Sequence, residues 1–186
     1  MSLKDKEKWN SKYKVDEYIT GKEPSHWLKD NAGLLAKSGK ALDIAGGEGR
    51  NSVFVASKGY EVTCLDISEN GLRKAQALAQ EKNAKITTVL ADLESNSLKE
   101  NEYDLILCFN FLERSLFAGI HQALKPGGLL FYETFTVDYL KYSSFKKEWV
   151  LEANELLQAF SDFRILRYQE VDENSRGFAS LVAQKP

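Results

Sequence analysis

A short apolar run that leads into a glycine-rich loop constrains this chain more than any other feature. Residues 40–50 read Lys-Ala-Leu-Asp-Ile-Ala-Gly-Gly-Glu-Gly-Arg, with glycine at three of the four positions 46–49. Residues 41–44 predict a buried strand, and residues 50–58 predict a helix. A strand, a glycine loop and a helix in this order present free backbone N–H groups to a nucleotide-like ligand. The feature therefore predicts a ligand site directly after the first strand.

Strand-like and helix-like segments alternate along the rest of the chain. Apolar residues recur at helical spacing between the early strands, as Leu72, Ala75 and Ala79 do. This alternation predicts an α/β fold, with a doubly wound, mostly parallel sheet and helices on both faces. Only residues 172–176 separate the last two strands, which predicts a C-terminal antiparallel hairpin. Counting the strand that begins at residue 40, seven strands are predicted, the others at 60–66, 85–90, 103–109, 128–134, 163–171 and 177–183.

Further helices are predicted from the spacing of apolar residues outside this core. A helix over residues 4–14 would place Trp9 and Tyr13 on one face, four residues apart. Another would begin after an N-cap at Ser25, place Leu28, Ala32 and Leu35 on one face, and end at Gly39. The remaining two are predicted at 116–124 and 149–160.

The composition is that of one soluble globular domain. The 186 residues are 43% hydrophobic and 28% charged, and the net charge of −2 provides no broad basic face for nucleic acid. The chain starts without an apolar signal segment and has no run of 18 apolar residues, so we expect a cytoplasmic protein without membrane contact. Cys64 and Cys108 lie within apolar strands, so we expect buried thiols and no metal site. The composition does not indicate an oligomeric state.

Two acidic residues follow strands next to the glycine loop. Asp66 ends the second predicted strand, and Asp92 follows the third. Because the carboxyl ends of neighbouring parallel strands line one crevice, Asp66 is placed to accept hydrogen bonds from both hydroxyls of a ribose. Asp92 is placed to accept from the amine of adenine while Leu93 packs on the ring. A helix cap and a turn are the structural alternatives for the two aspartates. Together with the loop, however, they form a nucleoside-shaped set.

The sequence resembles the class I S-adenosylmethionine-dependent methyltransferases over about residues 40–135. The resemblance rests on Leu-Asp-Ile-Ala-Gly-Gly-Glu-Gly at 42–49, Asp66, Asp92-Leu93, Tyr-Asp-Leu-Ile at 103–106 and Leu-Lys-Pro-Gly-Gly at 124–128. Lys8-Trp9-Asn10, Tyr13 and Gly-Glu-Gly-Arg-Asn at 47–51 are most similar to the small single-domain group that includes the tellurite-resistance methyltransferases. The resemblance implies a Rossmann-like methyltransferase fold and an enzyme of class EC 2.1.1.

The resemblance also implies a cofactor, S-adenosyl-L-methionine, and its product, S-adenosyl-L-homocysteine. In the family the glycine loop holds the methionine part, the position of Asp66 holds the ribose, and the position of Asp92 and Leu93 holds adenine. Ala45 stands where the family usually has glycine, so a positive φ at this residue would lower the affinity for the cofactor. The residues expected to bind the cofactor are Ala45, Gly46, Gly47, Gly49, Asn51, Asp66, Ile67, Asp92, Leu93 and Asn110.

The methyl acceptor is less well defined by the sequence. Asn110 is followed by Phe-Leu-Glu instead of the Pro-Pro-aromatic sequence of enzymes that methylate nucleic-acid amines, which favours a small-molecule acceptor. An oxygen or amine acceptor needs a base, whereas a thiolate, selenide or telluride does not. The sequence identifies no catalytic residue. His26 and Asn110 are weak candidates for a catalytic role. His26 is a better candidate base than His121, which we expect in solvent. The residues expected near the substrate are Trp9, Tyr13, Arg114, Glu133, Phe135 and Tyr139.

We interpret residues 1–186 as a single methyltransferase domain. Residues 1–38 would form an N-terminal helical cap and residues 39–134 the cofactor-binding core. Residues 135–149 are a candidate substrate wall, and residues 150–186 would form the last helix and the hairpin. The aromatic residues and lysines of 135–149 either face a substrate or form a helix buried on one side. The sequence leaves both open.

Two other functions are compatible with the sequence. In a nicotinamide-dependent dehydrogenase, the G-x-G-x-x-G fingerprint would align with residues 47–52, but the last position is Ser52. A non-catalytic relative of the fold that binds the cofactor is compatible with Ala45 and with the absence of an obvious base.

Overall fold

The computed structural model describes residues 3–93 and 98–186, which form one seven-stranded sheet with helices on both of its faces. The strands are β1 (Gly39–Ile44), β2 (Tyr60–Asp66), β3 (Ile86–Leu90), β4 (Tyr103–Phe109), β5 (Leu124–Phe135), β6 (Arg164–Glu173) and β7 (Arg176–Gln184). The helices are α1 (Leu3–Lys12), α2 (His26–Asp30), α3 (Arg50–Ser57), α4 (Glu69–Glu81), α5 (Leu116–Ala123) and α6 (Glu155–Ala159).

The strand order is β3-β2-β1-β4-β5-β7-β6. The first five strands pair in parallel, whereas β7 runs antiparallel to both β5 and β6. The chain reverses its direction of winding between β1 and β4, and the carboxyl ends of these strands flank the crevice where doubly wound proteins bind ligands. The doubly wound sheet and the terminal hairpin predicted from the sequence are confirmed.

The hairpin closes through the shortest type of connection. Asn174 and Ser175 alone lie between β6 and β7, and their φ angles are +52° and +60°. Positive φ at both central residues is the geometry of a type I′ turn, whose twist matches that of the flanking strands. The strands therefore extend further into residues 172–176 than the sequence predicts.

Alternate residues of the central strands pack on opposite faces of the sheet. In β4, Leu105 and Leu107 belong to one apolar cluster, and Ile106 and Cys108 belong to the other. Both cysteines are free and buried, as expected. In the part of the chain that the structure describes, no helix has the length and apolar character needed to span a membrane.

Two predicted helices are shorter than expected. The segment after Ser25 forms only α2 and a 3₁₀ turn at Ala32–Leu34, and the hydroxyl of Ser25 does not cap α2. The segment at 149–160 is helical only in α6. Asn154, directly before α6, has a left-handed backbone with φ of +61°, which a continuous α-helix cannot contain. The apolar spacing in these segments therefore arises from irregular chain packed on the sheet.

Candidate active site

A cavity of about 680 Å³ lies at the carboxyl ends of β1, β2, β4 and β5. Its floor consists of the loops that follow these strands. Its roof is formed by α1 and by residues from the 135–149 segment, which meet where the ammonium of Lys8 lies 5.1 Å from the ring of Trp149. Of the residues expected to bind cofactor or substrate, those that line the cavity are Trp9, Tyr13, Ala45, Gly46, Gly47, Asn51, Asp66, Ile67, Asn110 and Phe135.

The glycine loop after β1 is held in a tight turn. The N–H of Gly49 donates to the carbonyl of Gly46 at 2.9 Å, and the N–H of Gly46 donates to the carbonyl of Leu65 at 3.0 Å. Gly49 has a φ of +82°, and a Cβ at this position would lie 2.5 Å from the Cβ of Ala75 in α4. Gly49 is therefore needed for the packing of the loop against α4. It was expected to bind the cofactor, but it does not line the cavity.

Ala45 has a φ of +53°, the sign that the sequence analysis linked to weaker cofactor binding. A left-handed backbone costs an L-residue roughly 1–2 kcal/mol, because Cβ approaches the following carbonyl. The residue nevertheless lines the cavity. The loop thus contains a strained position at the point where a ligand would contact its backbone.

Asp66 lies at the floor of the cavity and contacts the loop directly. Its Oδ2 accepts from the N–H of Gly47 and its Oδ1 accepts from the N–H of Ser68, both at 2.8 Å. Burial raises the pKa of this carboxyl, although the backbone N–H groups of Ser68, Gly47 and Ile67 oppose the shift. A carboxylate offers about four acceptor positions, so this one can still accept a hydroxyl donor from the cavity side.

Asp92 and Leu93 do not line the cavity. Leu93 is almost fully buried, and it packs in the same apolar cluster as Leu42, Ile44 and Ile106. Asp92 is partly buried beside it. The side chain of Leu93 thus packs in the core of this structure, and its contact with a ligand ring stays a prediction.

A second carboxylate is buried beneath the loop. The Oδ2 of Asp43, in β1, accepts from the hydroxyl of Ser52 at 2.6 Å, and the residue is only 1% exposed. Burial raises the pKa of Asp43 to about 7, against the opposing effect of Ser52. Asp43 therefore supports the loop and titrates near neutral pH.

Glu48, inside the glycine loop, fixes the N-terminal segment to the core, a role that the sequence analysis missed. Its carboxylate lies 2.8 Å from the ammonium of Lys74 and accepts from the backbone N–H groups of Ile19 and Thr20 at 3.1 and 2.9 Å. Desolvation raises the pKa of Glu48, but the hydrogen bonds from Lys74 and Thr20 outweigh it, and the pKa is lowered. The position of an acidic residue between two loop glycines could have indicated this role, because a carboxylate that is buried needs a cation as its partner.

Helix α1 is fastened over the cofactor side of the cavity. The side-chain oxygen of Asn10 accepts from the hydroxyl of Ser68 at 3.1 Å and from the N–H of Asn70 at 2.9 Å, so α1 is anchored to the start of α4. Trp9 stacks on Tyr13 with ring centroids 5.6 Å apart. The phenol of Tyr13 is directed at Gly47, where an added Cβ would lie 2.8 Å from its oxygen. Burial and the nearby Asp66 raise the pKa of Tyr13, which keeps it protonated.

Four residues expected to act on the substrate lie outside the cavity. His26 is exposed on the surface. The guanidinium of Arg114 pairs with Glu155 at 2.6 Å and also donates to two backbone carbonyls, so it fixes the start of α6. Glu133 accepts from the hydroxyls of Ser25 and Ser180. Tyr139 packs among aromatic rings behind Phe135.

His121 is only partly exposed, whereas a solvated position was expected. Its ring stacks on Phe160 with centroids 4.9 Å apart, and its Nε2 lies 2.9 Å from the carbonyl oxygen of Ala159. The residue joins α5 to α6 on the flank of the sheet. The helical spacing predicted that Ile120 is buried, but it gave no indication that His121 packs against the ring of Phe160.

Comparisons with known proteins agree with this architecture. Residues 41–128 match the family model described as a methyltransferase domain. A Haemophilus influenzae protein described as "Probable S-adenosyl-L-methionine-dependent methyltransferase TehB" is 30% identical over 165 residues, which cover 78% of this chain and 57% of that protein. A ubiquinone biosynthesis O-methyltransferase of Aromatoleum aromaticum is 32% identical over 122 residues, covering 62% and 51%. The chain thus spans only about half the length of these relatives.

The crystal structure of TehB from Haemophilus influenzae superimposes with a TM-score of 0.73 at 25% identity, and the match covers 97% of this chain and 67% of that one. The fold, the crevice and these matches support a class I S-adenosylmethionine-dependent methyltransferase. Within that class, the sequence and structural similarity to TehB supports the TehB type. No match favours a dehydrogenase.

Proposed function

We propose that this chain catalyses methyl transfer from S-adenosyl-L-methionine to a small-molecule acceptor. The observation that carries the proposal is the position of Asp66 beside the glycine loop on the floor of one cavity. The relatives are named as methyltransferases, and one of them is named for ubiquinone biosynthesis. The names of these relatives are compatible with a small-molecule acceptor.

The residues present fit an adenosyl compound. Asp66 would accept from the ribose hydroxyls, and Ile67 would provide an apolar surface next to it. The backbone at Ala45, Gly46 and Gly47 would face the methionine part, with Tyr13 above it. When bound, the cofactor supplies a methyl group on positively charged sulfur that is already activated for displacement. We assign Asn51 and Asn110, which also line the cavity, to the polar edge of this site.

The chain would accelerate the transfer mainly by position. The roof of α1 and residues 135–149 encloses the two reactants, which excludes water and holds them in line. Aromatic faces near the sulfonium would stabilise its charge by about 0.5–2 kcal/mol. Trp9 and Phe135, on opposite sides of the roof, are the rings that we assign to the substrate side.

We further propose that the cap, core, wall and hairpin segments work as one domain with this one cavity. The reaction would take place in the cytoplasm, which fits two buried thiols that remain free.

Transfer of a labelled methyl group tests the proposal. The full chain is incubated with S-adenosyl-L-methionine labelled in its methyl group and with a panel of thiols, phenols, carboxylates and amines. Labelled product should appear with at least one small acceptor and should be absent with Asp66→Ala at the same cofactor concentration. Tight binding of cofactor without transfer to any acceptor would instead support the non-catalytic relative.

A further inference from the structure

Resting on the proposed function, we propose that the acceptor is a planar aromatic molecule that enters the cavity already as an anion, either an arenethiolate or the phenolate of an acidic phenol. Three observations support it: rings that line one end of the cavity, ammonium groups at its mouth that lie over these rings, and the absence of histidine and cysteine among the described lining residues.

Five aromatic side chains line the acceptor end of the cavity, namely Trp9, Phe111, Phe135, Phe145 and Trp149. Phe145 lies between two of them, with its ring centroid 5.1 Å from Phe135 and 6.1 Å from Trp149, both edge to face. Phe145 and Trp149 remain 38% and 41% exposed. Large apolar rings that converge on a cavity and stay exposed match a flat apolar ligand that would cover them.

Two ammonium groups stand at the mouth of the same end. Lys8 Nζ lies 5.1 Å from the ring centroid of Trp149, and Lys12 Nζ lies 4.5 Å from that of Trp9. Within residues 3–93 and 98–186, neither ammonium has a carboxylate partner within ion-pair distance. Asp5 lines the mouth and Glu113 lines the same end, so the positive charge is local to the rings of Trp9 and Trp149, over which the ammonium groups lie. Unpaired cations held over rings favour an aromatic ligand with negative charge.

Among the described residues that line the cavity there is neither histidine nor cysteine to act as a base. The Oε1 of Glu113 already accepts from the N–H and the hydroxyl of Ser115 at 3.1 and 2.8 Å. Tyr13 is held protonated by its surroundings, as its raised pKa shows. An acceptor that needed a base to remove its proton would therefore depend on a carboxylate that is already hydrogen-bonded, whereas an acceptor that enters as an anion needs none.

The remaining charged groups of the cavity lie on the cofactor side and are engaged. Asp43 is bonded to Ser52, Glu48 is paired with Lys74, and Asp66 accepts from two backbone N–H groups. Arg50 donates to the carbonyl of Thr20 at 2.9 Å and adds positive charge to the cavity wall.

The chemical step balances without a protein base. The acceptor releases its proton to solvent when it ionises, before it is bound. A lone pair on its sulfur or oxygen then forms the bond to the methyl carbon, and the carbon–sulfur bond of the sulfonium breaks, with its electron pair returning to sulfur. The products are a neutral methyl thioether or ether and neutral S-adenosyl-L-homocysteine sulfur. Neither an oxidant nor a further reactant is required.

The test is the pH dependence of kcat/KM for a series of para-substituted arenethiols and the phenols of the same shape. The midpoint of the acid limb of each profile should shift with the pKa of the acceptor itself. Comparison of the thiol series with the phenol series shows whether the acceptor is an arenethiolate or a phenolate. A limb at one fixed pH for all acceptors would reveal a base on the protein and overturn the proposal. Turnover restricted to aliphatic or cationic acceptors would overturn it as well.

A lysine pair provides the matched control. Lys146 Nζ lies 5.1 Å from the ring of Trp149, as Lys8 Nζ does, but Lys146 does not line the cavity. Lys8→Gln combined with Lys12→Gln should raise KM for ionised aromatic acceptors roughly fivefold, whereas Lys146→Gln should leave it unchanged. Equal effects of the two changes would contradict a role for the cavity cations.

Titration with S-adenosyl-L-homocysteine in parallel separates this inference from the proposed function. If the cofactor product does not bind, the proposed function fails. If it binds and other acceptors turn over, or if no aromatic anion is methylated, only the acceptor class is wrong.

Discussion

The carboxylate of Glu48 and the ammonium of Lys74 lie 2.8 Å apart, with 0% and 11% of their side chains exposed. The pair joins the glycine loop to α4, and the same carboxylate holds the backbone of residues 19 and 20. The N-terminal segment that covers the cavity is thus attached to the loop that forms its floor.

Removal of Lys74 should therefore destabilise the fold severely. In Lys74→Met the buried charge of Glu48 loses its partner, and the free energy of unfolding should fall by about 3–5 kcal/mol. Adding Glu48→Gln should recover part of the loss, because the unpaired charge is then gone. Urea unfolding of both variants measures this.

The exposed pair between Lys22 and Glu81 offers a control. Its atoms are only 2.6 Å apart, but 41% and 47% of the two side chains are exposed. Lys22→Met should change stability by less than about 1 kcal/mol, since water screens such pairs. A loss for Lys74→Met no larger than this would refute the structural role of the buried pair.

Stability should depend on pH through Asp43. Its pKa is about 7 in the folded chain and 3.8 ordinarily, so the folded state binds the proton more tightly than the unfolded state. This contribution is therefore complete at low pH and is lost as pH rises toward 7. Between pH 5 and 7 the wild type should lose about 1.4 kcal/mol per pH unit relative to Asp43→Asn, and the difference should level off above pH 7.

Denaturant unfolding at several pH values, without cofactor, checks this slope. Ser52→Ala removes a hydrogen bond that favours the charged carboxylate, so it should move the plateau to higher pH. If the difference in the free energy of unfolding between the wild type and Asp43→Asn is the same at every pH in this range, Asp43 does not titrate as described.

Ala45→Gly should bind S-adenosyl-L-homocysteine more tightly than the wild type does. Ala45 lines the cavity on a left-handed backbone, and glycine at this position lets the loop adjust to the ligand without strain. We expect a gain of roughly three- to fivefold in affinity, which is about 1 kcal/mol. Stability should change little, because the relief of about 1 kcal/mol at positive φ is offset by the extra chain entropy of glycine. Weaker binding by this variant would contradict the assignment of the loop.

Asn10→Ala should weaken the binding of S-adenosyl-L-homocysteine by loosening α1. It removes the hydrogen bonds to Ser68 and Asn70, each worth about 0.5–1.5 kcal/mol. We expect the dissociation rate to increase more than the association rate changes, as stopped-flow measurements can show. Ser11→Ala alters an exposed neighbour on the same helix and should have no effect. Equal dissociation rates for Asn10→Ala and Ser11→Ala would show that the attachment of α1 does not retain the cofactor product.

The sequence predicted those parts of the molecule that depend on local patterns. The strands and the hairpin follow from apolar alternation and turn residues, and the glycines with Asp66 follow from their spacing after successive strands. Contacts between distant segments were not predictable in this way. Glu48 reaches Thr20 across 28 residues, and Lys8 reaches Trp149 across the cavity, and neither partner carries a local signal.

The expected site residues that lie away from the cavity do so for a common physical reason. Arg114 has the chemistry of a substrate-binding residue, but two main-chain carbonyls and Glu155 use its donors. Leu93 has the apolar surface that adenine needs, but the core buries it. Residue type and position at a strand end show what a side chain can do, whereas its neighbours in the fold decide which of these roles it has.

Isothermal titration of S-adenosyl-L-homocysteine into the wild type and into Asp66→Ala tests the central claim most directly. Loss of the two ribose hydrogen bonds, each worth roughly 1.5–3 kcal/mol with a charged acceptor, should weaken binding by at least about a hundredfold. The account predicts a saturable heat for the wild type and little or none for the variant. Absence of binding to the wild type at millimolar ligand, or equal affinity of both proteins, would contradict it.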